Sequence, residues 1–276
     1  MTAPVRWLNA SLTRAFDLAL GPFRRLDPLW ALLFLSLAAG VLMLWIFGKT
    51  SDQAAIRRVR DRIRGNLLGV RIFGDDLVLL FRLQGRILKD TARYLRHALV
   101  PLLVMLVPVL AVLVQANLRF ALRPLEPGES ATVKATFRPG SDLRGAELVA
   151  PPGVAVETPG VAVLALSEVA WRVRAEAPGR HALVVRGGGS SVEKELVVGS
   201  GRGNASALRT GRGIPEMLLN PGEPPIGPGG AIRAVEVAYP PLRISALGFG
   251  VDWLVFFLVA SIASGFLFKK PLGVEI

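Results

Sequence analysis

The sequence predicts an α-helical membrane protein with three transmembrane helices plus a cytoplasmic antiparallel helical hairpin, and an inserted all-β sandwich domain. Three observations predict it. Of the 276 residues, 51% are hydrophobic and the mean hydropathy is +0.46, a balance that soluble chains seldom show. Apolar runs at 29–48, 99–120 and 246–268 have the length of roughly 20 residues that a bilayer core requires of a helix. Between the second and third runs, short alternating stretches are punctuated by Pro-Gly pairs, the pattern of strands and turns.

Residues 1–28 place Trp7, Leu8, Leu12, Ala15, Phe16, Ala19 and Leu20 on one helical side, with Arg6, Arg14 and Asp17 elsewhere. This is the pattern of an interfacial amphipathic helix lying on a membrane. The first span, 29–48, carries no charge from Leu29 to Phe47. Arg24-Arg25 followed by Leu37-Ala38-Ala39 has the outline of a cleaved signal peptide. The apolar run continues past any cleavage point, so an uncleaved span is expected.

Residues 49–98 form a basic arm. Ile56, Val59, Ile63, Leu67 and Val70 recur at helical spacing, and Arg57, Arg58, Arg60, Arg62 and Arg64 fill most of the other faces. A break at Phe73-Gly74 precedes Asp75, which suits a helix N-cap. Leu77, Leu80, Phe81, Gln84, Leu88, Thr91, Tyr94, Leu95 and Ala98 continue the stripe. Two such helices joined by a short turn should pack antiparallel and bury these stripes.

The second span, 99–120, contains Pro101 and Pro108, which membrane helices tolerate because neighbours re-satisfy the freed carbonyls. The third span, 246–268, ends against Lys269-Lys270 in a tail of residues 269–276. Short basic segments beside spans stay cytoplasmic. The arm and the tail are therefore expected inside and the N-terminus outside, in a plasma (inner) membrane.

Residues 121–199 hold six strand-like stretches, from 129–137 to 191–199, with Pro-Gly at 127–128, 139–140 and 178–179. An extracytoplasmic β-sandwich packs them naturally. The turn at 177–186, with His181 where an aromatic often sits, has the look of an immunoglobulin-like domain, and gives His181 a structural role. Residues 200–245 read as a Gly/Pro-rich linker in which 214–230 hold one helical turn before a Pro-rich loop, followed by a return strand at 231–240 leading back to the membrane.

The chain has no cysteine, which excludes disulfides, thiol catalysis and thiolate metal sites. Its histidines, His97 and His181, are too far apart in sequence for the usual ligand spacing. No phosphate loop or nucleophile elbow is present, so no enzyme activity, metal or cofactor is expected. Asp75-Asp76 reads as a helix start, where carboxylates favour the positive end of the dipole.

The net charge is +12, and much of the basic excess is in the arm. The arm lacks the aromatic interleaving of single-strand binders, so DNA is not an expected partner. Ribosomal RNA and anionic lipid headgroups are the phosphate surfaces within its reach. The informative residues of the spans are polar: Ser36, Gln115, Asn117, Asp252, Ser261 and Ser264. Asn117 and Asp252 fall near the outer boundary. Ala260, Ser261, Ser264 and Gly265 form overlapping small-residue pairs that let helices approach closely.

This order of parts resembles the Oxa/YidC insertase superfamily, especially the archaeal three-span YidC-like proteins. The matching residues are Lys49 with Ser51-Asp52-Gln53; Tyr94-Leu95 through Leu102-Leu103-Val104-Met105 to Pro108; and Trp253 through Ser261 to Lys269-Lys270, Leu272 and Val274. The resemblance implies a membrane-protein insertase or chaperone working without nucleotide hydrolysis, with nascent membrane proteins and the ribosome as partners. It casts Lys49 as the positive charge at a groove mouth and Gln115, Asn117, Ser261 and Ser264 as polar groove lining. Arg57, Arg58, Arg60, Arg62 and Arg64 are then the contact with ribosome or anionic lipid. The alternative is a structural or sensing envelope protein whose outer β-domain binds a protein partner.

Overall fold

The computed structural model describes residues 3–23, 26–72, 77–199, 204–211, 213–246 and 248–274, with backbone alone at 3, 6, 53, 55, 56, 69, 71, 72, 77–80, 82, 97 and 98. The break at Phe73-Gly74, the Asp75-Asp76 helix start, Arg24-Arg25 and the side chain of His97 lie outside the described residues. The chain divides into two compact units, Met1–Leu32 with Leu113–Trp253, and Leu33–Val112 with Leu254–Ile276.

Four helices come first: α1 (Ala3–Leu20), α2 (Pro28–Thr50), α3 (Gln53–Ile72) and α4 (Leu77–Phe120). The second arm helix and the second apolar run are thus one helix of 44 residues, about 66 Å long. Pro101 and Pro108 lie inside it without ending it. Among the described residues two stretches are long and apolar enough to cross a membrane, Pro28–Thr50 and Leu83–Phe120 of α4.

Next come β1 (Ser130–Phe137), β2 (Glu147–Val149), β3 (Val154–Val156), β4 (Val161–Val163), β5 (Glu168–Ala175), β6 (Gly179–Gly187), β7 (Ser190–Val198) and β8 (Leu208–Thr210). They are followed by α5 (Ile214–Leu219), β9 (Ile232–Val237), β10 (Ile244–Ala246), β11 (Phe249–Val251) and α6 (Trp253–Phe268). The larger sheet has the order β3-β5-β1-β9-β8, with β4 also on β5, and the smaller is β2-β6-β7. All of these pairs are antiparallel. Their inward residues, among them Val133, Trp171, Val173, Leu183, Leu196 and Val235, make one core. Each large apolar side chain buried there stabilises by about 1.5–3 kcal/mol.

Several elements differ from the sequence pattern. The strand expected to lead away from the β-domain, β9, lies inside the larger sheet between β1 and β8. The domain therefore extends well past residue 199. The third apolar run is not one helix. Its first residues form the β10–β11 hairpin, with Gly248 at φ +83° in the turn, and α6 keeps 16 residues, about 24 Å.

In α1, Phe16 and Leu20 turn inward, leaving Trp7, Leu8, Ala15, Leu18 and Ala19 exposed. In the arm, the covered line on α4 is Leu83, Ile87, Asp90 and Tyr94, while Phe81, Leu88 and Leu95 are exposed. On α3, Val59 is buried and Ile63 and Val70 are half-buried as expected, but Leu67 is exposed. Of the expected α4 stripe, Phe81, Gln84, Leu88, Thr91 and Leu95 are exposed and Tyr94 is half-buried.

Strand β7 lies at one edge of its sheet, and side chains close much of that edge. The Val197 amide donates to the Tyr239 hydroxyl at 2.8 Å, and the Glu195 amide donates to Glu223 Oε2 at 3.2 Å. The Val197 carbonyl accepts from the Leu125 amide at 3.2 Å. The Glu195 carbonyl accepts from the Tyr239 hydroxyl at 3.4 Å, and the Glu193 carbonyl accepts from Arg209.

Candidate functional site

In the unit of residues 33–112 and 254–276, α2 and α6 meet where small residues permit it. A Cβ on Gly40 would stand 2.9 Å from Ser264 Cβ and would strike the Ser261 carbonyl. Backbone can approach that closely only without a side chain. The Ser264 hydroxyl, fully buried, donates to the Leu37 carbonyl of α2 at 3.0 Å. The small-residue pattern in α6 therefore does helix-packing work, and Ser264 is a structural tie.

Beside this crossing lies a cavity of about 350 Å³ formed by α2, α4 and α6. Met43, Phe47, Met105, Phe257 and Phe266 are the bulkiest of its lining residues. Among the described lining residues Ser261 alone has a polar side chain, and its hydroxyl donates to Leu258 within its own helix at 3.1 Å. The site makes no hydrogen-bond demand on an occupant. Methionine adapts to irregular apolar shapes, so the cavity suits an apolar chain or helix face.

Lys49 sits exposed in the last turn of α2, where a cation is favoured by the helix dipole. It does not line the cavity. Along α3, Arg57, Arg58, Arg62 and Arg64 are exposed and Arg60 is half-buried. With Arg86, Lys89, Arg93 and Arg96 exposed on α4, both arm helices present cations to their surroundings.

Gln115 belongs to the other unit and does different work there. Fully buried, it donates to the Thr13 hydroxyl at 3.2 Å and accepts from Arg119 at 2.6 Å. Arg119, also buried, reaches the Thr13 carbonyl at 3.0 Å and Asp17 at 2.7 Å, and its guanidinium lies 5.5 Å from the Phe16 ring centroid. This network ties the inner face of α1 to the end of α4, the two terminal guanidinium nitrogens each donating to acceptors on a different helix. Asn117, on the opposite side of the same turn, is exposed. Sequence reasoning missed Arg119. The signal was its place four residues after Gln115, one turn along the same helix face.

Two further ionic sites lie in the β-domain. Lys194 points into the core, where its ammonium donates to the Ser206 carbonyl at 2.6 Å, to the Glu195 carbonyl at 3.3 Å and to Glu223. Burial pulls its pKa below the usual lysine value, against the opposing pull of Glu223. Burial likewise raises the Tyr239 hydroxyl. Between α4 and β1, Arg123 and Glu129 form a bidentate pair with both bonds at 2.9 Å. Its hydrogen bonds, Arg123 first, hold the Glu129 carboxyl below the usual carboxylate range. His181 Nε2 lies 2.8 Å from the Ala177 carbonyl, and the ring packs over Gly153, a turn-bracing role.

Among the described residues no three acidic or histidine side chains gather as metal ligands. The chain matches no protein-family model, no curated protein and no solved structure.

Proposed function

We propose that this chain is a membrane protein of the insertase or chaperone type, which shelters apolar segments of other proteins as they enter the bilayer. The observation that carries the reading is the apolar cavity among α2, α4 and α6, in which the one polar side chain among the described lining residues, Ser261, is already hydrogen-bonded. Such a surface offers dispersion contacts to an apolar segment and withholds hydrogen bonds from a polar one.

Membrane residence is supported by the bareness of α4. Only 12% of its most apolar window is buried, whereas a core helix of a soluble protein is mostly covered. Lipid supplies the missing contacts. The exposed cations of α3 and α4 and the Lys269-Lys270 pair then belong on the cytoplasmic side, with α6 as a third, short membrane segment and the β-domain outside. Arg57, Arg58, Arg62 and Arg64 face a phosphate surface, ribosomal or lipid.

The test is a photocrosslinking residue at Met105 or Ile262 during translation of a short membrane protein. Capture of the nascent apolar segment, reduced when residues 56–96 are deleted, is expected. No capture at either position overturns the reading.

A second reading is favoured by one observation in the β-bearing unit. A cleft of about 560 Å³ is lined by Trp7, Arg14, Glu216, Asn220, Glu223 and the prolines 221, 224 and 225. Its mixed aromatic and charged walls fit an extended peptide of a protein partner, as expected of a sensing or structural envelope protein.

A further inference from the structure

The exposed apolar residues of the arm portion of α4 fall on one line. Phe81, Leu88 and Leu95 are 70%, 72% and 64% exposed. Between them, Gly85 and Ala92 are exposed as well, and the same alternation of four- and three-residue steps continues through Leu99, Leu102 and Leu106, all exposed. A hydrophobic repeat of 3.5 residues is the seam of a left-handed coiled coil. The opposite face, Leu83, Ile87, Asp90 and Tyr94, is covered by the chain itself. The helix is therefore seated on one side and open along a regular seam on the other.

We propose that this seam pairs with the α4 seam of a second copy of the chain, in parallel. The seam crosses from a charged stretch ending at Arg96 into an uncharged one beginning at Leu99 without a break in the helix. Its partner must change character at the same level, and a second α4 does so by symmetry. The flanks agree. In this register Lys89 and Arg96 border the seam on one side, while Gln84 and Thr91 border it on the other. In a parallel pair each basic flank meets the partner's neutral flank, so no cation opposes a cation across the seam. Gly85 and Ala92 let the two backbones approach between the leucine layers.

The parallel direction rests on the membrane reading above, and the experiment separates the two. In this cysteine-free chain, Leu88→Cys and Leu95→Cys are oxidised in native membranes beside Arg86→Cys and Arg93→Cys, which lie off the seam. Several-fold more disulfide-linked dimer at positions 88 and 95 is expected. Leu88→Glu with Leu95→Glu, both on an exposed face, should leave the full chain folded and convert it to monomer in detergent. Equal crosslinking on and off the seam, or crosslinks at 88 and 95 to a different polypeptide alone, overturns the pairing. Release of the chain by alkaline carbonate would overturn the membrane reading instead. The same crosslinking criterion, applied in solution, would then decide the pairing.

Discussion

Lys194 and Glu223 form an ion pair whose side chains are 0% and 6% exposed. The ammonium is also held by two backbone carbonyls, and the carboxylate by the Glu195 amide. The pair therefore pins the 220s loop to β7 inside a low-dielectric core.

Removing one partner strands the other. Glu223→Gln leaves the Lys194 charge uncompensated and should cost about 3–5 kcal/mol, read by chemical denaturation of the full chain in detergent. Lys194→Met combined with Glu223→Gln removes the charge and keeps an acceptor for the Glu195 amide. It should recover most of that loss. A double variant as unstable as the single one would show that the pair acts through something other than charge.

Gly40 tests the crossing of α2 and α6. Gly40→Val forces a branched side chain into the Ser261 carbonyl and the Ser264 side chain and should lower stability by about 1–3 kcal/mol as overpacking does. Ser264→Ala keeps the space and loses one buried hydrogen bond, about 1 kcal/mol. A smaller loss for the valine than for the alanine would contradict the close approach.

The Arg123–Glu129 pair predicts a pH dependence of definite sign. Glu129 has its carboxyl held below the usual carboxylate range, so the folded state favours the ionised form. Its stabilising contribution is present above the unfolded value of about 4.3 and disappears as pH falls through the lower folded value. Thermal unfolding between neutral and acid pH should lose this component in Glu129→Gln. An unchanged pH profile in that variant would remove Glu129 from the acid response.

Membrane orientation is tested by single cysteines in a chain that has none. Arg58→Cys and Arg144→Cys, both exposed positions, should react with an impermeant maleimide from opposite sides of intact vesicles. Labelling from the same side would reverse the assignment of either the arm or the β-domain.

Long periodic elements are legible in the sequence. The apolar runs that became α2 and much of α4 carry their hydrophobicity in composition, and the longer strands carry theirs in alternation. What failed was local. Val154–Val156 and Leu208–Thr210 are three-residue strands, too short to show a period and held by their partners. The start of the third run is as apolar as a helix, yet with Gly248 at positive φ between them Ile244–Ala246 and Phe249–Val251 pair as a hairpin.

The site was half legible. Ser261 and Ser264 announced a close helix contact through their size and spacing. Gln115 announced only that something polar must meet it, because Thr13 lies 102 positions away in sequence. Lys194 was signalled by its parity with Val192 and Leu196 in an alternating strand, but its partner Glu223 sits in a loop with no period to place it.

The side-chain closure of β7 has a consequence for what happens when it fails. An edge closed by another strand is lost only with the sheet, but this one depends in part on the Tyr239 hydroxyl and the Glu223 carboxylate. Tyr239→Phe would uncap the Val197 amide while the core around it stays packed. The lesion to look for is then a gain rather than a loss: strand-by-strand polymerisation of folded domains through the exposed edge, appearing as concentration-dependent thioflavin-positive aggregates at temperatures where unfolding has not begun.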